Sequence, residues 1–203
     1  TVTATGCVGE SFTVTVEVEP EPVTADSDII MCTESVWNID LTQFVINGVN
    51  GSASWTMTKS DMFIEGAPTS GNSLNLTSVG EVLNHSTYTR HVKYDVTIYN
   101  NSGCASSTFE LTVYVGPRIQ VTATSEKSRI LCADESRHIY ANVSGAEGEL
   151  DFDWSYNSDD GVTVNFNAGE IAQGAILTFG GAGEVTVYVS VTDENGCTAM
   201  DSL

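Results

Sequence analysis

Apolar and polar residues alternate along several stretches of the chain, which is the pattern of a β-strand with one buried face. The clearest stretch ends at Pro117, a residue that cannot continue a strand ladder. Its apolar positions are Phe109, Leu111, Val113 and Val115. A stretch that ends at Pro20 repeats the pattern with Phe12, Val14, Val16 and Val18. Since helical periodicity is almost absent, the sequence predicts an all-β protein.

Each of these stretches follows a Gly-Cys pair at the same distance, and the pair recurs along the chain. The three pairs are Gly6-Cys7, Gly103-Cys104 and Gly196-Cys197. They lie about 95 residues apart, which indicates an internal repeat. A second alternating stretch, followed by turn-forming residues, precedes two of the pairs. Its apolar positions are Val92, Tyr94, Val96 and Ile98 before one pair, and Val185, Val187, Val189 and Val191 before the other. Each pair is therefore predicted at a β-hairpin turn.

Two further cysteines, Cys32 and Cys132, mark the beginning of each repeat. Each follows an isoleucine and a second apolar residue. A tryptophan comes after each of them at nearly the same distance, at Trp55 and at Trp154. Both tryptophans fall in a strand in the middle of their repeat, where an immunoglobulin-like domain has its core. We therefore predict that both are core residues.

These landmarks divide the chain into three parts. Residues 1–20 are predicted to be the closing hairpin of a preceding repeat. Residues 21–116 are expected to form one complete repeat, and residues 117–203 a second one whose final strand is expected to be truncated. Each complete repeat has the length, the short strands and the closely spaced turn signals of an immunoglobulin-like β-sandwich. The expected architecture is a rod of tandem antiparallel sandwiches, in which short proline-containing linkers limit bending.

The repeat also suggests how the five cysteines are used. The opening and closing cysteines of each repeat are predicted to pair, Cys32 with Cys104 and Cys132 with Cys197, so that Cys7 is unpaired in this chain. Such disulfides indicate an oxidising compartment. The alternative is five reduced, buried cysteines in a cytosolic protein, but cysteines at hairpin turns would then be exposed and reactive.

Two segments at the hairpins carry a resemblance to a known family. The segments Val189–Leu203 and Cys104–Val113 resemble the closing hairpin of the PKD-like repeats of Bacteroidetes surface proteins and of the related repeats of gliding-motility adhesins. The opening cysteine after Ile130 and Leu131 fits the same family. The resemblance implies a very large protein at the bacterial cell surface, exported by the type IX secretion system, in which the repeats act as spacers of an adhesin.

The charge of the chain limits its partners. Seven Lys and Arg residues face 27 Asp and Glu residues, which gives a formal net charge of -20 at pH 7. A field of this sign repels phosphate backbones, so nucleic acid is not expected as a partner. No apolar run approaches the roughly 20 residues that a membrane-spanning helix needs, so the chain is not expected to span a membrane. The same charge attracts cations, calcium included.

Candidate chemistry is sparse. No nucleophile elbow and no phosphate-binding glycine loop occurs, so we do not expect an enzyme. No cofactor is expected except, as an alternative, calcium, which binds oxygen ligands from flexible loops. Its candidate ligands are Asp26 and Asp28 between repeats, and Asp159 and Asp160 in a loop of the second repeat. Because no complete calcium-loop motif is present, solvated acidic turns explain these residues as well.

The leading functional prediction is a structural spacer or adhesion segment at the cell surface. Its partners would be the neighbouring repeats of the same chain and a surface polysaccharide or protein ligand that the sequence does not identify. The alternative is a carbohydrate- or protein-binding accessory module of a secreted enzyme, which requires an exposed platform of about three coplanar aromatic rings. A subunit that polymerises by strand exchange is a third alternative.

Overall fold

A computed structural model describes residues 12–49, 51–126, 135–158, 162–168 and 173–203. Within these ranges the chain forms fifteen β-strands and one short 3-10 helix, Leu41–Phe44. The strands are β1 Ser27–Met31, β2 Ser35–Asp40, β3 Ser52–Ser60, β4 Ile64–Glu65, β5 Ser70–Gly71, β6 Asn75–Asn84, β7 Arg90–Tyr99, β8 Phe109–Val115, β9 Gln120–Ser125, β10 Ser136–Ser144, β11 Asp151–Ser158, β12 Thr163–Ala168, β13 Gly174–Gly180, β14 Val185–Thr192 and β15 Thr198–Ser202. The prediction of an all-β protein is confirmed.

Strands β1 to β8 form two sheets that enclose one core. The larger sheet has the order β1-β8-β7-β3-β5, and the smaller has the order β2-β6-β4. Trp55 on β3 is 5% exposed and meets the ring of Tyr94 on β7 edge to face, with 6.0 Å between ring centroids. The core also contains Trp37, Ile39, Leu41, Ala53, Leu76, Val82, Val92, Val96, Ile98, Phe109, Leu111, Val113 and Val115.

Strands β9 to β15 form two further sheets with their own apolar clusters. One sheet has the order β12-β13-β10-β9, and the other has the order β11-β14-β15. Trp154 on β11 is half-buried and packs against both clusters. The buried members of the clusters are Ala123, Ala141, Val189 and Val191 in one, and Ile139, Ala175, Leu177 and Val187 in the other. These strands therefore bury their apolar faces against one another and not against the first core.

The alternation of apolar residues identifies three strands of the described structure, and a fourth segment with the same pattern pairs with none of the described residues. All the predicted apolar positions of β7 and β8 are buried, as are three of the four in β14. In contrast, the segment from Phe12 to Val18 belongs to no strand, and its apolar side chains are 68–87% exposed. A strand is stable only when a neighbouring strand completes its hydrogen bonds, and no described residue pairs with this segment.

Sequence reasoning overlooked Trp37, the largest fully buried side chain in the described part of the chain. Trp37, Ile39 and Leu41 are all buried and alternate with exposed Asn38 and Asp40. The period-two signal was therefore present in the sequence. It was short, and the 3-10 helix that follows interrupts it.

One pairing decides which residues lie at which end of the first pair of sheets. β1 runs parallel to β8, with Met31 opposite Val115, and the Met31 carbonyl accepts a hydrogen bond from the Gly116 N–H at 3.1 Å. Cys32, which follows β1, therefore lies where β8 ends and the chain leaves for β9. Because β7 and β8 are antiparallel neighbours, the turn that joins them and contains Cys104 lies at the opposite end.

Candidate functional site

A disulfide joins the two groups of sheets. Cys32, at the end of β1, is bonded to Cys197 in the turn between β14 and β15, with 5.4 Å between the two Cα atoms. The two cysteines are 165 residues apart in the sequence. The bond lies in a cleft that Pro117 and Arg118 of the linking segment also line. It is therefore a second covalent connection across the junction, in addition to the peptide chain itself.

This bond corrects the predicted disulfide pairing. Cys32 was expected to pair with Cys104, but the Cys104 thiol is free. The two cannot meet because they lie at opposite ends of their sheet, and β8 alone separates those ends by about 20 Å, whereas bonded cysteines need Cα atoms closer than about 7 Å. Cys197 was expected to pair with Cys132, which lies outside the described residues, as does Cys7.

The turn that carries Cys197 is organised by a buried carboxylate. Asp193 is 8% exposed, and its Oδ1 accepts hydrogen bonds from the N–H groups of Asn195 at 3.0 Å and Cys197 at 2.9 Å. Gly196 has a φ of +78°, a conformation that glycine adopts without steric cost. The Gly-Cys pair therefore has a local structural cause. The glycine permits the turn, and the Asp193 carboxylate fixes the backbone of the cysteine that follows.

The turn that carries Cys32 is held by different contacts. Glu34 has a φ of +59°, which is unusual for a residue with a side chain. Its N–H donates to the Val82 carbonyl at 2.8 Å, and its carboxylate lies 3.2 Å from the Arg118 guanidinium. Both side chains of this ion pair are exposed, so its contribution to stability is small. The backbone hydrogen bond therefore does more to position Cys32.

Asn84 anchors the start of the linking segment. Its side chain is 5% exposed, and its Nδ2 donates to the carbonyl oxygens of Val115 at 2.8 Å and Gly116 at 3.2 Å. Its Oδ1 accepts a hydrogen bond from the Ser86 N–H at 2.9 Å. One buried side chain thus fixes the residues just before Pro117, where the chain passes to β9.

A second contact crosses the junction beside the disulfide. Thr89, in the loop before β7, donates a hydrogen bond from its hydroxyl to the Glu147 carboxylate, in the loop before β11. The Glu147 N–H in turn donates to the Asp193 carboxylate at 3.4 Å. Glu147 therefore links the two groups of sheets: its side chain accepts from Thr89, and its backbone N–H donates to the carboxylate that organises the Cys197 turn.

Two of the four calcium candidates lie in the described part of the chain, and each has another structural place. Asp26 accepts a hydrogen bond from the Glu110 N–H at 2.8 Å, and Asp28 lies within β1 opposite Thr112, not in a connection between repeats. Asp159 and Asp160 lie outside the described residues. Across the described ranges, no group of three His, Cys, Asp or Glu side chains is placed to hold a metal ion.

The exposed tyrosines do not share one surface. Tyr188 on β14 pairs with Ser155, whereas Tyr156, the next residue on β11, pairs with Val187 and so points to the opposite face. Tyr140 lies on another sheet, where its ring stacks on His138 with 6.4 Å between centroids. Tyr88 lies in a loop of the first group of sheets. These four exposed tyrosines therefore do not form a platform of three coplanar rings.

A comparison with protein families agrees with this fold for the first group of sheets. The model of the PKD-like domain family matches residues 29–119. This segment is similar to PKD-like domains, an immunoglobulin-like type that is typical of adhesion and spacer modules. No curated protein sequence matches the chain. No helix in the described ranges is long and apolar enough to cross a membrane.

Several solved structures resemble the chain at low sequence identity. A PcdhgB3 EC1–4 structure is 11% identical, with a TM-score of 0.31 over 89% of this chain and 47% of its own. The D00–D0 domain of intimin is 16% identical, with a TM-score of 0.28 over 91% of this chain and 95% of its own. Drosophila N-cadherin EC1–3 is 11% identical, with a TM-score of 0.29 over 91% and 66%. The chain spans 47% of the PcdhgB3 structure.

Proposed function

We propose that the chain is a non-catalytic spacer segment of an extracellular repeat protein. Residues 21–116 and 117–203 are two tandem PKD-like sandwiches, and residues 1–20 are the closing hairpin of a preceding one. The apolar clusters support this division, since one lies within the first group of strands and the other two lie within the second. The PKD-like domain supports the role, because domains of this type are typical of spacers and adhesion modules.

The disulfide between Cys32 and Cys197 is the observation that carries the proposal. A single peptide linker lets two sandwiches swing about it, whereas a second covalent connection beside the linker removes most of that freedom. Asn84 fixes the start of the linker, and Thr89 adds a contact to Glu147. A junction restrained in this way suits a spacer, whose function is to keep its two ends at a fixed distance from each other.

The same bond supports an extracellular location. Disulfides persist in oxidising compartments and are rare in the cytosol. The net charge of -20 keeps an exposed rod soluble and apart from anionic surfaces. We propose the bacterial cell surface as the location. A gliding-motility adhesin exported by the type IX system is the specific setting that the hairpin segments suggest.

The placement of the aromatic residues favours a spacer over a carbohydrate-binding module. A polysaccharide stacks on several coplanar rings, and the described tyrosines point from different faces and different sheets. Retention of the chain on an insoluble polysaccharide such as cellulose or chitin, abolished by Tyr156→Ala or Tyr188→Ala, would support the binding module instead.

Small-angle X-ray scattering tests whether the junction is stiff. The comparison is between the oxidised chain and its Cys32→Ser variant, both with Ser in place of Cys7, Cys104 and Cys132. We expect the conformers that fit the scattering curve to span a narrow range of maximum dimensions for the oxidised chain and a broader range for the variant. Equally broad distributions would remove the basis of the spacer proposal, because the bond would then not restrict the junction.

A further inference from the structure

The turn that presents the free Cys104 has the same hydrogen bonds as the turn that presents the bonded Cys197. The Asn100 side-chain oxygen accepts from the N–H groups of Ser102 at 3.0 Å and Cys104 at 2.8 Å. The Asp193 carboxylate does the same in the other turn, where its second bond, to Cys197, measures 2.9 Å. Both turns therefore hold their cysteine in the same backbone setting.

The backbone of the two turns agrees as well. Gly103 and Gly196, which precede the two cysteines, have φ angles of +85° and +78°. The N–H of Asn100 donates to the Cys104 carbonyl at 2.9 Å, and the corresponding bond to the Cys197 carbonyl measures 3.0 Å. Cys104 is partly buried and unbonded, although an equivalent cysteine in the same chain forms a disulfide.

Cys104 also lies at the equivalent end of its sandwich. The turn with Cys197 lies beside Pro117, where the chain enters the second group of sheets. The turn with Cys104 lies beside Pro20, where the chain enters the first, because the Asn100 Nδ2 donates to the Pro20 carbonyl at 2.8 Å. Each hairpin cysteine is thus placed at the entry end, the end that would face a preceding repeat.

The segment just before Pro20 independently points to such a repeat. Phe12 and Val18 are 87% and 85% exposed, and the apolar residues between them are exposed as well. The same spacing of apolar residues before Pro117 forms β8, where every one of them is buried. A row of exposed apolar side chains is costly in water. It is accounted for if this segment is the closing strand of another sandwich.

We propose that Cys104 is the hairpin half of a second inter-repeat disulfide, whose partner is the cysteine that ends the first strand of a preceding PKD-like repeat. The inference rests on the proposed tandem arrangement and extends it. Each repeat is then joined to the next by its peptide linker and by one disulfide. The opening cysteine of every repeat then forms its disulfide with the hairpin cysteine of the next repeat and not within its own sandwich.

Formation of this bond is a two-electron oxidation. The two thiols lose two protons and two electrons as the sulfur–sulfur bond forms. A disulfide oxidant accepts both, either oxidised glutathione or a disulfide oxidoreductase of the export compartment, and is reduced to two thiols. Iodoacetamide labelling of Cys104, followed by peptide mapping without reductant, measures whether the bond is present.

The 203-residue chain, refolded with oxidised glutathione, provides the first measurement. We expect Cys32 to be linked to Cys197 and Cys104 to be alkylated, since no preceding repeat is available to it. A bond from Cys104 to Cys7 or to Cys132 would overturn the proposal, because Cys104 would then have a partner within this chain.

A chain with one additional repeat provides the decisive measurement. Residues 1–18 are replaced by a copy of residues 21–115, whose strands enclose their own core and which leads directly into Glu19 and Pro20. The copy carries Met31→Leu as a mass label and Cys104→Ser, so that its own hairpin cannot react. We expect Cys104 to lose its alkylation and to be linked to the labelled Cys32 peptide, while the unlabelled Cys32 stays linked to Cys197.

The outcomes separate this inference from the proposed function. If Cys104 remains alkylated while Cys32 and Cys197 are linked, the spacer junction stands and the inference fails. If neither bond forms although circular dichroism shows folded β-structure, both fail. As a control, Cys32→Ser in the added repeat must restore the alkylation of Cys104, which a general change in exposure would not do.

Discussion

The side chain of Asn84 donates a hydrogen bond to the main-chain oxygen of Val115 at 2.8 Å, from a position that is only 5% exposed. This contact joins the last residue of β6 to the last residue of β8, immediately before the linking segment. A buried carbonyl that loses its donor keeps the cost of its lost hydration. Asn84 is therefore expected to matter for both the sandwich and the junction.

Asn84→Ala should lower the free energy of unfolding by about 1–3 kcal/mol. Urea unfolding followed by tryptophan fluorescence measures the change. The matched control is Asn75→Ala at the exposed start of the same strand, which should change stability by less than about 0.5 kcal/mol. Equal effects of the two substitutions would contradict the role assigned to Asn84.

Gly71→Ala should destabilise the first sandwich, because a Cβ at this position would overlap the ring of Trp55. The ring cannot move freely, since its Nε1 donates to the Ser73 carbonyl at 3.2 Å. We expect a loss of about 1–3 kcal/mol in urea unfolding, as for other overpacked cores. Gly80→Ala is the control, because a Cβ there has no neighbour within 4 Å. A loss of similar size at Gly80 would mean that strand propensity, and not packing on Trp55, explains the effect.

Loss of the Cys32–Cys197 bond should lower stability, because a long-range disulfide restricts the unfolded chain. The chain-entropy model gives about 5 kcal/mol for a loop of 165 residues, as an upper estimate. Thermal unfolding of Cys197→Ser should therefore occur at a lower temperature than that of the oxidised chain, and the two sandwiches should unfold in separate steps. Cys104→Ser should leave the melting curve unchanged, and an equal shift in this variant would show that serine itself, and not the lost bond, is responsible.

Asp193→Asn and Asp193→Ala should differ, because asparagine retains an acceptor oxygen and occupies the equivalent position in the other turn. Asp193→Ala removes the bonds to the N–H groups of Asn195 and Cys197. We expect alanine to cost about 1–2 kcal/mol and to slow formation of the disulfide in oxidised glutathione, with asparagine close to the native chain. If asparagine and alanine behave alike, the carboxylate charge and not the turn would be the decisive property.

Tyr94 should make the first sandwich sensitive to alkaline pH. Burial raises the pKa of its hydroxyl, so the folded state holds this proton more tightly than the unfolded state does. The stability that depends on this proton is complete below the ordinary tyrosine pKa of about 10 and is lost as the pH rises above it. The urea concentration at the midpoint of unfolding should therefore decrease as the pH is raised from about 8 to about 11.

Tyr94→Phe should remove this part of the pH dependence. The variant also lacks the hydrogen bond from the hydroxyl to the Pro68 carbonyl, so it should be less stable by about 1 kcal/mol near neutral pH. Cys104 should be alkylated in both proteins before the measurement, so that thiol exchange at high pH does not interfere. If the urea midpoint decreases equally in the native chain and in Tyr94→Phe, the loss of stability at alkaline pH comes from other groups, such as Lys93 with Glu110.

The sequence by itself determined the local features of this protein. Alternation identifies β7, β8 and β14 because burial of every second residue is a property of the strand alone. The two Gly-Cys turns follow for the same reason: glycine supplies the positive φ, and Asn100 or Asp193 caps the turn from within four residues. Trp37 was missed only because its alternating stretch is short.

Only the tertiary structure decided how the cysteines meet. The repeat shows that Cys32 and Cys132 are equivalent, and likewise Cys104 and Cys197, but equivalence does not say at which end of a sandwich each one lies. That depends on whether the first strand joins its sheet parallel or antiparallel to β8. The parallel pairing puts Cys32 at the exit end and Cys104 at the entry end. A disulfide requires proximity in space, so the bond forms across the junction, between Cys32 and Cys197.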